Sequence, residues 1–164
     1  MNPGDGPLER ILLHVDAIHD HALAPAYALA LGEAYGALVH AVFVVNRKLL
    51  DTLTTARVFV EEEVHQLTDE LEQDGERHLR AIERMAAAHN LTVTTAIRTG
   101  IPHREVVQEA FAIRASIIVL DDIEVPLSVK DAFGNESEMI LWTAPCPVLV
   151  VKGKAPDELA RSWA

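Results

Sequence analysis

Carboxylates crowd one short stretch of this chain. Asp121, Asp122 and Glu124 open a loop that follows the apolar run "ASIIVL" and precedes a helix leading into "APCPVLVVK". A strand, a loop and a helix start make the usual phosphate-binding element of α/β proteins, in which glycine amides approach the anion. From Leu120 to Glu138 there is one glycine, Gly134. Asp16 ends an earlier apolar run, with His14, His19 and His21 around it. Oxygen-rich groups of this kind suit Mg2+ or Ca2+, and imidazoles admit Zn2+ or Ni2+. Acids facing solvent, with Asp16 capping a helix or turn, account for the same residues. Without a compact ligand motif such as HExxH, no metal is expected.

Gly134 and Asn135 carry two readings. Asn135 followed by Glu138 has the spacing of a capping box, which would start the last helix. The same helix N-terminus offers amides to a small anion or a monophosphate. Covalent chemistry finds less support. Cys146 lies between two prolines before an apolar strand, with no activating partner evident in the sequence, and reads as structural. His103, in the first turn after "GIP", reads as a surface residue. No GxSxG elbow, Walker loop or GxGxxG occurs, so no catalytic residue is assigned and the chain is not expected to be an enzyme.

Composition limits the partners. With 14 basic and 25 acidic residues the net charge is −11, which disfavours nucleic acid and anionic membranes alike. A single cysteine excludes an internal disulfide. No basic stretch followed by an apolar core opens the chain, and no run is long enough to span a membrane. A cytoplasmic protein without membrane insertion is expected.

The elements that must position these residues alternate. Short apolar runs at Arg10–Val15, Ala37–Val45 and Ala115–Asp121, with "LTVTTAIRT" (Leu91–Thr99) and "PVLVVK" (Pro147–Lys152), predict five strands. Between them lie helical patterns at Asp20–Gly36, Val58–His89, Gly100–Arg114 and about Glu136–Thr143. Asn46–Arg57 reads as a polar connection, and Gly75 predicts a break or bend in the long helix. The order βαβαβαβαβ predicts an α/β fold, a three-layer doubly wound five-stranded parallel sheet with its crevice where strand order reverses. The expected organisation is a flexible N-terminal tail over residues 1–9, one domain over 10–152, and a C-terminal tail over 153–164.

The segments "ILLHVD", "TGIPHREVVQEA", "ASIIVLDD" and above all "GNESEMILWTAPCPVLVVK" resemble the universal stress protein family, over roughly Glu9–Lys152. The resemblance implies strand order 3-2-1-4-5. It also implies a loop of form G-x-x-G-x9-G-[ST] after the fourth strand in nucleotide-binding members. Laid on this sequence, the third glycine falls on Gly134 and the Ser/Thr on Asn135, while Asp121 and Glu124 replace the first two glycines. Asp16 takes the place of an adenosine-contacting Asp, and Val44 that of a Val lining the adenine pocket.

Acids at the two glycine positions add bulk and charge where a triphosphate would approach. Two unit charges about 5 Å apart repel by roughly 3 kcal/mol at an effective dielectric near 20. A few such pairs exceed the roughly 8 kcal/mol of a micromolar affinity. The expectation is a non-catalytic stress-response or signalling adaptor with no cofactor and an unknown protein partner. The alternative is an adenine-nucleotide sensor, binding ATP or AMP with Mg through Asp16, Val44, Gly134 and Asn135. In the implied strand order "VLVV" lies at an edge, and an apolar edge invites pairing. A homodimer through Pro147–Lys152 is therefore expected.

Overall fold

The computed structural model describes residues 7–16, 23–57, 59–121, 136–153, 159, 162 and 163. The chain forms β1 (Arg10–Val15), α1 (Ala24–Tyr35), β2 (Leu38–Asn46), α2 (Arg47–Thr55), α3 (Glu61–Ala88), β3 (Val93–Gly100), α4 (Pro102–Ile113), β4 (Ile117–Asp121), α5 (Glu136–Thr143) and β5 (Val148–Val151). All neighbouring strands pair in parallel, in the order β3-β2-β1-β4-β5. This is the doubly wound sheet that the alternation predicts. Order reverses between β1 and β4, which pair through Ile11–Ile117, Leu12–Ile118 and Leu13–Val119.

Strand periodicity sorts the core into two layers. Ile11, Leu13 and Val15 of β1 join Val39, Ala41, Phe43 and Val45 of β2 against α1 and α3. Leu12, Val42, Val44, Ile118 and Leu120 face the other way, against Val106 and Ala110 of α4 and Ile140 of α5. Leu159 and Trp163, from the C-terminal segment, return to the first layer. Trp163 is buried there and stacks on His89, ring centroids 3.7 Å apart.

Two local expectations are corrected. Arg47–Thr55 is a helix, with the Leu49 N–H donating to Asn46 Oδ1 at 3.1 Å as its N-cap. Leu49, Leu50 and Leu53 share the inward face of this short helix, Leu50 buried and the other two half-buried, while its charged residues face out. At Gly75, α3 runs on without a break. A Cβ at that position would lie 2.3 Å from Phe43 Cδ1, so the absent side chain lets the helix pack directly on the sheet. α1 begins at Ala24 with Pro25 inside its first turn, and the predicted start at Asp20 lies outside the described residues.

Candidate functional site

The crevice opens at the C-terminal ends of β1 and β4, where Asp16 and Asp121 stand. Strand alternation sends Asp121 toward the α1 layer and His14 toward the α4–α5 layer. The two residues therefore serve opposite sides of the sheet.

On the first side, α1 has no capping side chain of its own. Its N-cap is Leu23, which offers no acceptor to the free amides of the first turn. Asp121 supplies one. Its Oδ1 accepts from the Leu23 N–H at 3.0 Å and the Ala24 N–H at 2.8 Å. A carboxylate of the chain thus sits where a helix N-terminus would hold a bound anion.

The second side repeats the device. α4 starts after Ile101, again a residue without an acceptor, and carries Pro102 in its first turn. Glu136, the first residue of α5, reaches across to it. Glu136 Oε2 accepts from the His103 N–H at 3.1 Å and lies 2.5 Å from His103 Nδ1. Its Oε1 lies 3.7 Å from Lys48 Nζ in the first turn of α2. His103 is thus not a surface residue: its side chain is largely buried against Glu136. Both acids flank the segment 122–135, one before it and one after it.

His14 stands next to this cluster. Burial pushes its pKa down, while the charges of Asp16 and Glu136 pull it back up only in part. The net shift favours the neutral imidazole. Cys146 borders the α4–α5 layer, and burial pushes its thiol up. That direction favours the protonated thiol over the thiolate.

The residues singled out in the sequence divide into three groups. Asp16 lies in the crevice, close enough to His14 for its charge to be felt. Val44 is almost fully buried and packs into the α4–α5 layer, where it belongs to the core. Gly134 and Asn135 lie outside the described residues, as do Asp122, Glu124, His19 and His21. Among the described residues, no group of three or more His, Cys, Asp or Glu side chains is placed to hold a metal ion. Nor is any helix among them long and apolar enough to cross a membrane.

What sequence reasoning missed is the capping of two helices from a distance. The signal was present: an apolar residue before a proline-bearing first turn, twice. The partners are 98 and 33 residues away, beyond any local pattern.

Sheet order and a crevice at the β1–β4 reversal define the class, a doubly wound α/β protein with its site at the strand C-termini. Residues 7–152 match the universal stress protein family, and the chain belongs to that family. It is 24% identical over 149 residues to universal stress protein MJ0531 of Methanocaldococcus jannaschii, covering 91% of this chain and 85% of that protein. The fold superimposes on universal stress protein UspA from Lactobacillus plantarum with a TM-score of 0.69 and 21% identity, over 90% of this chain and 100% of the other. The universal stress protein of Archaeoglobus fulgidus in complex with dAMP shares the fold at a TM-score of 0.55 and 16% identity, over 90% of this chain and 100% of that one.

Proposed function

We propose that this universal stress protein is a non-catalytic, dimeric stress-response or signalling adaptor of the cytoplasm, whose crevice does not take ATP in the usual family way. One observation carries the reading. The carboxylates of Asp121 and Glu136 fill the N-termini of α1 and α4, so the chain's own anions stand where phosphates would gain most. Asp121 also stands at the first glycine position of the family's nucleotide loop. His14, half-buried beside the same crevice, adds bulk there, and its lowered pKa disfavours a positive charge.

A second copy of the chain is the expected partner at β5. The strand is a sheet edge, and α5 beside it leaves Leu141 and Trp142 exposed, Trp142 by 79%. Antiparallel pairing of two β5 strands would cover both edges at once. A further protein partner would then read the dimer's surface.

A nucleotide sensor is the second reading, favoured by the dAMP complex of the Archaeoglobus fulgidus relative. In that case Asp16, Val44, Gly134 and Asn135 contact an adenine nucleotide, and a divalent cation offsets the acids. Calorimetric titration with ATP and with AMP, each with and without Mg2+, separates the two. The adaptor reading expects no heat in any of the four. Tight Mg2+-dependent binding overturns it in favour of the sensor.

A further inference from the structure

At the opposite end of the sheet from the crevice, four polar side chains form an unbroken chain. His40 on β2 and Thr94 on β3 are register partners, with Thr94 Oγ1 2.7 Å from His40 Nδ1. The other ring nitrogen, Nε2, lies 3.0 Å from Glu109 Oε1 on α4. Glu109 is the one charged residue that is buried among the described residues. Its second oxygen, Oε2, accepts from Arg98 Nε and Nη2, both at 3.0 Å.

The direction of these hydrogen bonds follows from the donors available. Arg98 donates twice to Glu109, and a carboxylate paired in this way can only accept. A neutral His40 therefore carries its proton on Nε2 and presents a lone pair on Nδ1. Thr94 must then donate its hydroxyl hydrogen to that lone pair. A hydroxyl, an imidazole that accepts its proton and a carboxylate that fixes the imidazole's tautomer are the parts of an activated nucleophile.

The hydroxyl is also accessible. Thr94 is exposed and, with His40, lines a cavity of about 430 Å3 whose other walls include Arg10, Ile113 and Arg114. In a chain of net charge −11, this cavity gathers two arginines. Arg10 is paired with Glu9 at 3.5 Å, and no described carboxylate lies within ion-pair distance of Arg114. The volume suits a small ligand, and the guanidinium groups suit an anionic one.

We propose that Thr94 is an acyl-acceptor site, with His40 as its base and Glu109 as the group that positions His40. The donor is a small activated acyl compound with an anionic leaving group, of the acyl phosphate type, drawn in by Arg10 and Arg114. Thr94 Oγ1 forms the new C–O bond to the acyl carbon, and its proton passes to His40 Nδ1. The bond from the acyl carbon to the phosphate oxygen breaks, and phosphate leaves with the electron pair. It takes the proton back from His40, so the products are the threonine ester and hydrogen phosphate. This site lies outside the crevice and does not depend on how the crevice is read.

The probe is acetyl phosphate, and the readout is mass spectrometry of the tryptic peptide Met85–Arg98. That peptide contains Thr92, Thr94 and Thr95 and no lysine, so it carries its own controls. The expected result is acetyl on Thr94 alone. It disappears in Thr94→Val, persists in Thr94→Ser, and slows by about 10²–10⁴-fold in His40→Gln. In His40→Ala, added imidazole restores the reaction, which a purely structural histidine would not allow. Arg114→Gln slows acetylation by acetyl phosphate more than it slows the reaction with neutral p-nitrophenyl acetate. Absence of Thr94 acetylation in the wild type overturns the proposal. So does equal label on Thr92 and Thr95, or a His40→Gln protein that unfolds at the wild-type temperature and still acetylates at the wild-type rate.

Discussion

Replacing Asp121 by alanine removes the acceptor for two backbone amides at the start of α1, Leu23 at 3.0 Å and Ala24 at 2.8 Å. Loss of a capping acceptor costs about 1 kcal/mol. Loss of the negative charge at a helix N-terminus adds about 0.3–1 kcal/mol. The sum for Asp121→Ala is about 2 kcal/mol. Asp121→Asn keeps an oxygen acceptor and loses only the charge, so about 0.5 kcal/mol is expected. In a chain of this size each kcal/mol lowers Tm by roughly 2–4 °C, which sets Asp121→Ala about 4–8 °C below wild type. Urea denaturation of the three proteins measures the order directly. A second readout tests the anion-site idea itself. With the carboxylate gone, the α1 N-terminus is open to an external anion, so sulfate or phosphate at matched ionic strength stabilises Asp121→Ala more than wild type. An alanine variant within about 0.5 kcal/mol of wild type, with no preferential response to sulfate, would refute the reasoning.

Three further outcomes follow from other parts of the structure. Gly75→Ala relieves a helix-propensity penalty of about 1 kcal/mol but drives a Cβ into the Phe43 ring, so net destabilisation of about 1–2 kcal/mol is expected; a stabilised variant in urea would contradict the packing. Trp163→Ala empties a buried site against His89 and costs about 3 kcal/mol, while the remaining fluorescence comes from exposed Trp142; unchanged stability would show that the C-terminal segment does not dock. His14 binds its proton less readily when folded than when unfolded, so stability is constant above about pH 6.5 and falls as the pH drops below it, by at most about 1.4 kcal/mol per pH unit. His14→Gln loses that part of the pH dependence, and urea curves between about pH 7 and about pH 5 detect the difference.

The sheet was legible because its strands are short apolar runs bounded by polar turns, and because parallel strands need both faces covered. Strand order came through resemblance rather than periodicity. The helix at Arg47–Thr55 escaped because it is only nine residues long and mostly polar, although Leu49, Leu50 and Leu53 share one face and Asn46 was there to cap it. Gly75 misled for the opposite reason. Its helix penalty is local and visible, whereas the contact with Phe43 that explains it joins β2 to α3. The site divides along the same line. Asp16 and Asp121 could be placed at strand ends from sequence. That Asp121 caps α1 and Glu136 caps α4 required the crossovers that bring distant residues together.

Those two caps bear on how any phosphate could enter the crevice. A helix N-terminus attracts an anion by about 0.3–1 kcal/mol when exposed, and more when partly buried. Here each attraction is already met by a carboxylate. An incoming phosphate charge about 5 Å from Asp121 meets repulsion of roughly 3 kcal/mol at an effective dielectric near 20. The repulsion exceeds what the helix end can return, so a bare polyphosphate gains nothing by approaching. Lys48 does not reverse the sign, since it is already directed at Glu136 Oε1, 3.7 Å away. Two routes remain open on these energetics. A divalent cation can stand between the acids and the phosphates, in which case binding vanishes with chelator. Otherwise a ligand of low charge occupies the crevice, in which case affinity falls from nucleoside to monophosphate to triphosphate. Ranking adenosine, AMP and ATP with and without Mg2+ therefore reads the sign of the local field as well as the presence of a ligand.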